Sequence, residues 1–301
     1  MAPWPNPLRL FTGGRRPLLS VCLPAYNGVA TIGETLGGVL DQKGVELEVV
    51  VGDDASADGT VNAVKALGDR RIRLYAYPER LGIVSNWNRT LTAARGKYVI
   101  LMGQDDLVEP GWAEALVSLL EEDDRAGMSF CRRRFSYDGP ESEAAVGDFF
   151  SRRYPAMLAT FYANTGRIIA PEVMVREAMR QDFEINLIGE PAFVAFRREH
   201  PAARQGYDPA MYQMIDWEFY TRFIAEGPIL HCPRVLGTYR IRSVGVSVDN
   251  ARNLHRHARE YDHLLGLVLA RFDRFLDRAQ REILVSRRRE ARSRLAGPPA
   301  P

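Results

Sequence analysis

No stretch of the 301-residue sequence approaches the ~18 consecutive apolar residues of a membrane-spanning helix. Cysteine is scarce too: Cys22, Cys131 and Cys232 stand far apart in the chain and follow no metal-ligand or disulfide spacing. They read as reduced, structural thiols of a cytoplasmic protein. Excess charge is also missing, and a net charge of +2 gives no electrostatic argument for nucleic acid as a partner. The N-terminus carries Pro3, Pro5 and Pro7 and lacks the continuous apolar core of a secretory signal, so residues 1–17 read as a flexible leader. What remains, at 46% hydrophobic and 26% charged residues, is long enough for one large α/β domain with an appended helical piece.

What is present is alternation. "PLLSVCLPAYNG" is an apolar run ended by Pro24, and Ile32, Leu36, Val39 and Leu40 follow at helical spacing. "VELEVVVGDD" is a second strand, and "TVNAVKALG" is a short helix with Thr60 as its expected cap. "RIRLYAY" and "GIVSNWNRTLTAARG" make a third pair, the helix closed by Gly96, and "KYVILMG" is a fourth strand. Such alternation marks parallel strands joined by crossover helices. Downstream, residues 149–188 read as mostly helical with Pro155 and Pro171 as breakers, "PAFVAFRRE" as a strand, and the chain from about 251 as helical.

In parallel sheets ligands bind beyond the carboxyl ends of the strands. Tyr26 and Asn27 end the first strand, Asp53 and Asp54 the second, and Asp105 and Asp106 the fourth. All three clusters should therefore share one sheet edge. Adjacent carboxylates repel unless something positive neutralises them, and a nucleotide with a divalent cation would do so.

Taken together, "LPAYNG", "VVVGDDASADGT", "GIVSNWNRTLTAARGKYVILMGQDD", "IGEPAFVAFRRE", "DWEFYTRF" and "YRIRSVGVS" resemble the glycosyltransferase family 2 proteins in order and spacing, over roughly residues 18–248. The resemblance implies the GT-A fold: a mixed, mostly parallel sheet flanked by helices, with a nucleotide-binding half at 18–112 and an acceptor-binding half at 113–248. Residues 249–301 would form a helical C-terminal extension. It further implies transfer of a sugar, with inversion, from a nucleotide diphosphate donor, UDP- or dTDP-linked by preference. The acceptor would be a glycan, a lipid-linked sugar or a small molecule.

The resemblance also assigns roles. Asp106 is the expected ligand of a Mg²⁺ or Mn²⁺ ion, which would stabilise the diphosphate leaving group, and Asp105 the ribose contact. Asp53 would accept a hydrogen bond from the imide of the base, flanked by Pro24, Ala25, Tyr26 and Asn27. Gln104, Asn86 and Arg89 complete the expected donor site, although Arg89 reads equally as an exposed helix arginine. Asp54 reads either as part of this site or as a turn former. Asp216 matches the general base that direct displacement needs, with a helix cap as the competing reading and Glu218 in reserve. Glu190 matches the donor-sugar and acceptor side. Trp217 reads either as an acceptor platform or as core. One departure is Arg242, which stands where many members carry a metal-binding histidine. An arginine cannot ligate a cation but can neutralise diphosphate charge, and His231 lies too early in the register to substitute.

Other readings fit less well. A nucleotidyltransferase would open with a basic, glycine-rich loop, and "LPAYNGVATIG" has no basic residue. A phosphoacceptor receiver module would end long before residue 240. A catalytically silent sugar-nucleotide binder stays open because of Arg242. The C-terminal "REILVSRRREARSRL" is either a basic amphipathic helix peripheral to the inner face of a membrane or a solvated end packed on the domain.

Overall fold

The computed structural model describes residues 17–140, 149–242 and 253–296. The expected leader, residues 141–148 and the tail of the "YRIRSVGVS" segment lie outside them. The expected alternation is present: β1 (Leu19–Ala25), α1 (Ile32–Leu40), β2 (Leu47–Asp53), α2 (Thr60–Ala66), β3 (Ile72–Ala76), α3 (Ile83–Thr92) and β4 (Tyr98–Leu101). Strands β1, β2 and β4 are buried along nearly their whole length, as parallel strands covered on both faces must be.

The second half supplies β5 (Leu107–Val108), α4 (Trp112–Glu122), β6 (Met128–Tyr137), α5 (Tyr154–Asn164), β7 (Ile168–Ile169) and α6 (Pro171–Met179). It continues with β8 (Val194–Arg197), α7 (Pro201–Arg204), α8 (Ile215–Glu226), β9 (Ile229–Ile241), α9 (Leu254–Arg271) and α10 (Arg278–Ala296). The sheet runs β3-β2-β1-β4-β8-β6-β9-β5, with β7 added to β9. The first four strands are parallel, and β8 is antiparallel to both β4 and β6. The sheet is therefore mixed, as expected, and its two halves are joined through β4 and β8.

Several local expectations need correction. Pro155 and Pro171 start helices instead of breaking them, because a first-turn proline has no amide bond to lose. Thr60 is the first residue of α2 and not its cap; Gly59 holds that place in a left-handed conformation. Helix α3 ends at Thr92, and Gly96 serves the strand entry. A Cβ on Gly96 would lie 2.5 Å from the Ser20 nitrogen and 2.8 Å from the Tyr98 oxygen, both backbone atoms. Cys131 and Cys232, distant in sequence, are register partners on β6 and β9, and all three cysteines are buried and free.

The C-terminal helices pack against the core. Leu264, Leu265, Val268, Leu284 and Ala291 join the cluster that contains Phe219 and Phe223 of α8. Arginines of α10 are answered within the chain: Arg281 by Asp273 at 2.8 Å, Arg287 by Asp182 at 2.7 Å, and both Arg288 and Arg292 by Asp262 at 2.7 and 2.9 Å. The helix thus turns Leu284 and Ala291 to the protein core and leaves Ile283 and Val285 exposed. Among the described residues no helix is long and apolar enough to cross a membrane.

Replacing Gly96 with alanine forces backbone apart between β1 and β4. It should cost about 1–3 kcal/mol in urea unfolding, whereas Gly33→Ala, where a Cβ meets nothing within 4 Å, should cost no stability.

Candidate active site

The carboxyl ends of β1, β2 and β4 share one edge, with Ala25 and Asp53 in register. Met102 donates its N–H to the Cys22 carbonyl at 2.7 Å and carries the chain out of β4 into the Gly103–Asp106 turn. A Cβ on Gly103 would lie 2.5 Å from Oδ2 of Asp106, so the turn needs a glycine for the carboxylate to fold back. Thr35 of α1 donates its hydroxyl to the carbonyls of Gln104 and Asp106 at 3.1 and 3.0 Å. The Gln104 amide accepts from Tyr26 N–H at 2.9 Å and donates to the Tyr26 carbonyl at 3.0 Å. Gln104 therefore fixes the loop after β1.

Asp106 is buried and Asp105 half-buried. Burial raises the Asp106 carboxyl well above the usual range, and the charges of Asp105 and Glu190 raise it further. Burial also raises Asp105, while Arg242 and Arg240 pull it down. Arg240, on β9, sits across the turn. Its N–H donates to Oδ1 of Asp106 at 3.4 Å, its guanidinium reaches the Asp105 carbonyl, and it pairs with Glu34 at 2.6 Å. Arg242 pairs loosely with Asp138 at 3.7 Å. Among the described residues no three His, Cys, Asp or Glu side chains form a metal-holding group.

Asp53 accepts from Ser56 N–H at 3.0 Å through Oδ2, while its buried Oδ1 has no partner in the structure. Pro24 and Ala25 end β1 beside it. Tyr26 follows with Arg80 over its ring at 3.8 Å, and Asn27 takes a left-handed φ of 48° and accepts from Ala57 N–H at 3.0 Å. Asp54 is a brace for the next loop: its carboxylate accepts from Leu81 and Gly82 N–H at 2.9 and 2.8 Å.

Asp216 lies in the first turn of α8, whose N-cap position is held by Met214. Its Oδ2 accepts from the Asn186 amide at 3.0 Å and its Oδ1 from Trp217 N–H at 2.7 Å. Burial, and then the charge of Glu190, push its pKa up to about 7. Glu190 is held by Arg133 at 2.6 Å, and the Arg133 side chain has no solvent exposure. Arg133 also donates to the Ile188 carbonyl at 3.1 Å and the Tyr154 hydroxyl at 2.7 Å, and Tyr154 donates to the Asn186 carbonyl at 2.5 Å. Gly189, at φ 117°, makes room, since a Cβ there would strike the guanidinium at 2.3 Å.

The structure thus brings Asp53, Tyr26, Gln104, Asp105 and Asp106 to one sheet edge, and charge links Arg242 to Asp105, Glu190 to Asp106 and Glu190 to Asp216. Four expected residues serve other places. Asn86 is buried and donates to the Gly52 and Ala25 carbonyls at 2.8 and 3.4 Å, tying the strand ends from behind. Arg89 stacks on Tyr77 at 4.3 Å. Trp217 is core, 1% exposed, its indole N–H donating to the Phe183 carbonyl at 2.8 Å. Glu218 is 0% exposed between Arg222 at 2.5 Å and Arg271 at 2.7 Å, which leaves no oxygen for a reserve base. His231 is sandwiched between Phe130 and Tyr162 at 4.8 and 4.9 Å, its pKa lowered to about 4 by burial and Arg132. Arg133, Tyr154 and Asn186 were not anticipated. The signal available for Asn186 was an Asx residue three places before Gly189.

Chain comparison agrees with this geometry. Residues 20–199 match the sequence model of "Glycosyl transferase family 2". An uncharacterized protein of Mycobacterium tuberculosis is 33% identical over 228 residues, 75% of this chain and 67% of its own length. The succinoglycan biosynthesis protein ExoO of Rhizobium meliloti is 38% identical over 111 residues, 37% of this chain and 31% of its own. The chain thus spans about two thirds of the first relative and about a third of the second. Among solved structures, S. aureus TarS superposes with a TM-score of 0.63 at 14% identity, covering 92% of this chain and 72% of that one. The mannosyltransferase PcManGT of Pyrobaculum calidifontis, in complex with GDP-Man and Mn²⁺, gives 0.58 at 21% identity, covering 95% and 77%. At these identities the likeness is one of fold.

Deleting Glu218 would leave two guanidiniums without their shared carboxylate. Glu218→Ala should lower unfolding stability by about 3–5 kcal/mol, read in urea, whereas a surface or purely catalytic role for Glu218 would leave stability unchanged.

Proposed function

The chain belongs to glycosyl transferase family 2 and is a glycosyltransferase; from that premise we propose that it moves a sugar, with inversion, from a nucleoside diphosphate donor to an acceptor hydroxyl, using Asp216 as general base. The observation that carries this reading is the state of Asp216: a carboxylate with a pKa of about 7, oriented by Asn186 and partly exposed. A base poised near the working pH has both the right protonation state and enough affinity for the incoming proton.

Each part then has a task. The unpartnered Oδ1 of Asp53 suits a base N–H donor, which favours a uracil or thymine ring and hence a UDP- or dTDP-sugar. Asp105 takes the ribose hydroxyls. Asp106 would hold a Mg²⁺ or Mn²⁺ ion. Its surroundings fit such an ion: hard oxygen donors, two like charges nearby and one long backbone hydrogen bond. Fewer than three protein ligands is also the usual case for an ion shared with phosphates and water. When bound, the ion offsets the charge that grows on the leaving diphosphate. Arg240 and Arg242 add fixed positive charge beside Asp105. Glu190, clamped by Arg133, faces both Asp106 and Asp216 through its charge, as a group between donor and acceptor would.

Inversion follows from a single displacement. Asp216 takes the acceptor proton as the hydroxyl oxygen attacks the anomeric carbon, and the bond to the diphosphate oxygen breaks on the opposite face. The acceptors are proposed as glycans, lipid-linked sugars or small molecules, and the cytoplasm as the compartment.

Donor turnover should report the base directly. The groups facing Asp216 are Glu190, Asn186, Tyr154, Tyr207 and Tyr220, with Arg133 behind Glu190. Asp216 is set near neutrality, and as a base it works deprotonated. Nucleoside diphosphate release from UDP-, dTDP- and GDP-sugars should therefore fall as pH drops below about 7, and Asp216→Asn should lose about 10²–10⁴-fold in rate together with that pH limb. An Asp216→Asn variant that keeps the wild-type rate and profile would overturn the assignment.

A further inference from the structure

We propose that Glu260, on α9 of the C-terminal extension, is a positioning residue that sets the helix carrying Asp216. The inference rests on the reading of Asp216 as the base and goes beyond it, because the family's sequence match ends at residue 199, before either residue.

Helix α8 begins at Ile215 with Met214 as its N-cap residue, which makes no side-chain cap bond. Amide groups at a helix start have no intrahelical acceptor and must find one elsewhere. Here three successive N–H groups, of Tyr212, Gln213 and Met214, converge on a single oxygen, Oε2 of Glu260, at 2.9, 2.7 and 3.0 Å. Glu260 is 2% exposed. Charge-assisted bonds of this kind are stronger than neutral ones, and three of them on one atom fix both the place and the rotation of the turn. Asp216 follows Met214 by two residues.

The same helix holds the segment at other points. The Gln213 amide donates to the Asn253 carbonyl at 3.3 Å, Arg256 lies over the Tyr212 ring at 4.4 Å, and His263 meets Asp208 at 3.0 Å. One turn further along α8, Glu218 is paired with Arg271 of α9 at 2.7 Å. The base is therefore oriented from the front by Asn186 and from the back by α9. Apolar packing alone would keep α8 on the core, yet it would leave the entry turn free to slide. The Glu260 carboxylate takes all three backbone N–H groups that lead into α8 and so to Asp216.

The test compares Glu260→Ala, Glu260→Gln and Asp216→Asn in the full chain. The nucleoside diphosphate probe is whichever of UDP, dTDP and GDP binds in calorimetry, and turnover is read as release of that nucleotide from its sugar conjugate. Glu260→Ala should bind the nucleotide with wild-type affinity and full stoichiometry and yet show kcat about 100-fold lower, the cost of a base misplaced by about 1 Å. Glu260→Gln keeps an acceptor oxygen in the same place and should recover turnover to within about tenfold of wild type. Wild-type kcat in Glu260→Ala would overturn the proposal. So would a binding stoichiometry that falls in step with kcat, since a merely structural role does that. Where Glu260→Ala does not fold, Glu260→Gln decides: folded with full stoichiometry and near-normal kcat supports positioning, and parallel loss of both overturns it. Failure of the base reading is separate, because it appears as normal turnover in Asp216→Asn.

Discussion

Like charge held away from water governs this site. Asp105 and Asp106 from the β4 turn, Glu190 from the approach to β8, and Asp216 from α8 form a chain of carboxyl groups in which Asp106 feels Asp105 and Glu190, and Asp216 feels Glu190. Burial makes Asp105, Asp106 and Asp216 harder to ionise, and the charge of Glu190 adds to the cost at Asp106 and Asp216. The positive groups that answer them come from the far half of the sheet: Arg133 on β6, Arg240 on β9 and Arg242 just beyond it. Glu190 is paired with Arg133; in the proposed reaction a cation that arrives with the donor answers Asp106, and Asp216 takes the acceptor proton.

The sheet is what brings these groups together. Parallel β1, β2 and β4 place their carboxyl ends on one edge, and the antiparallel β8 between β4 and β6 couples the second half to it. Gln104, Thr35 and Asn86 contribute no charge. They fasten the loop after β1, the acidic turn and the strand ends to one another, so that the carboxylates stand on fixed backbone. Glycines at 103 and 189 matter for the same reason, each leaving space for a charged group to press against the main chain.

Much of this was legible in the chain, and the failures have physical causes. Apolar runs ended by polar pairs marked β1, β2 and β4, because buried parallel strands have no alternative composition. Strand β9, the longest at 13 residues, carried no clean alternation: Pro233 interrupts it and its pairing with β6 shifts register twice. Arg133 was hidden inside "CRRRF", a run that reads as surface charge until strand alternation turns the middle arginine inward. Trp217 and Glu218 shared a motif with Asp216, but helical geometry points neighbours in different directions, so one carboxylate meets the site and the other is locked in the core. The three N–H bonds to Glu260 depend on a contact 46 to 48 residues away, which no local pattern reports.

The most direct test of the charge argument is a calorimetric titration of UDP, dTDP and GDP into wild-type protein and Asp106→Ala, each with Mn²⁺ and with chelator. One nucleotide should bind the wild type at least about tenfold more tightly with Mn²⁺ than with chelator, a difference of about 1.4 kcal/mol, and Asp106→Ala should erase that difference. Binding of equal strength with and without the ion, or an ion effect that survives in Asp106→Ala, would contradict a carboxylate cluster completed by a donor-borne cation.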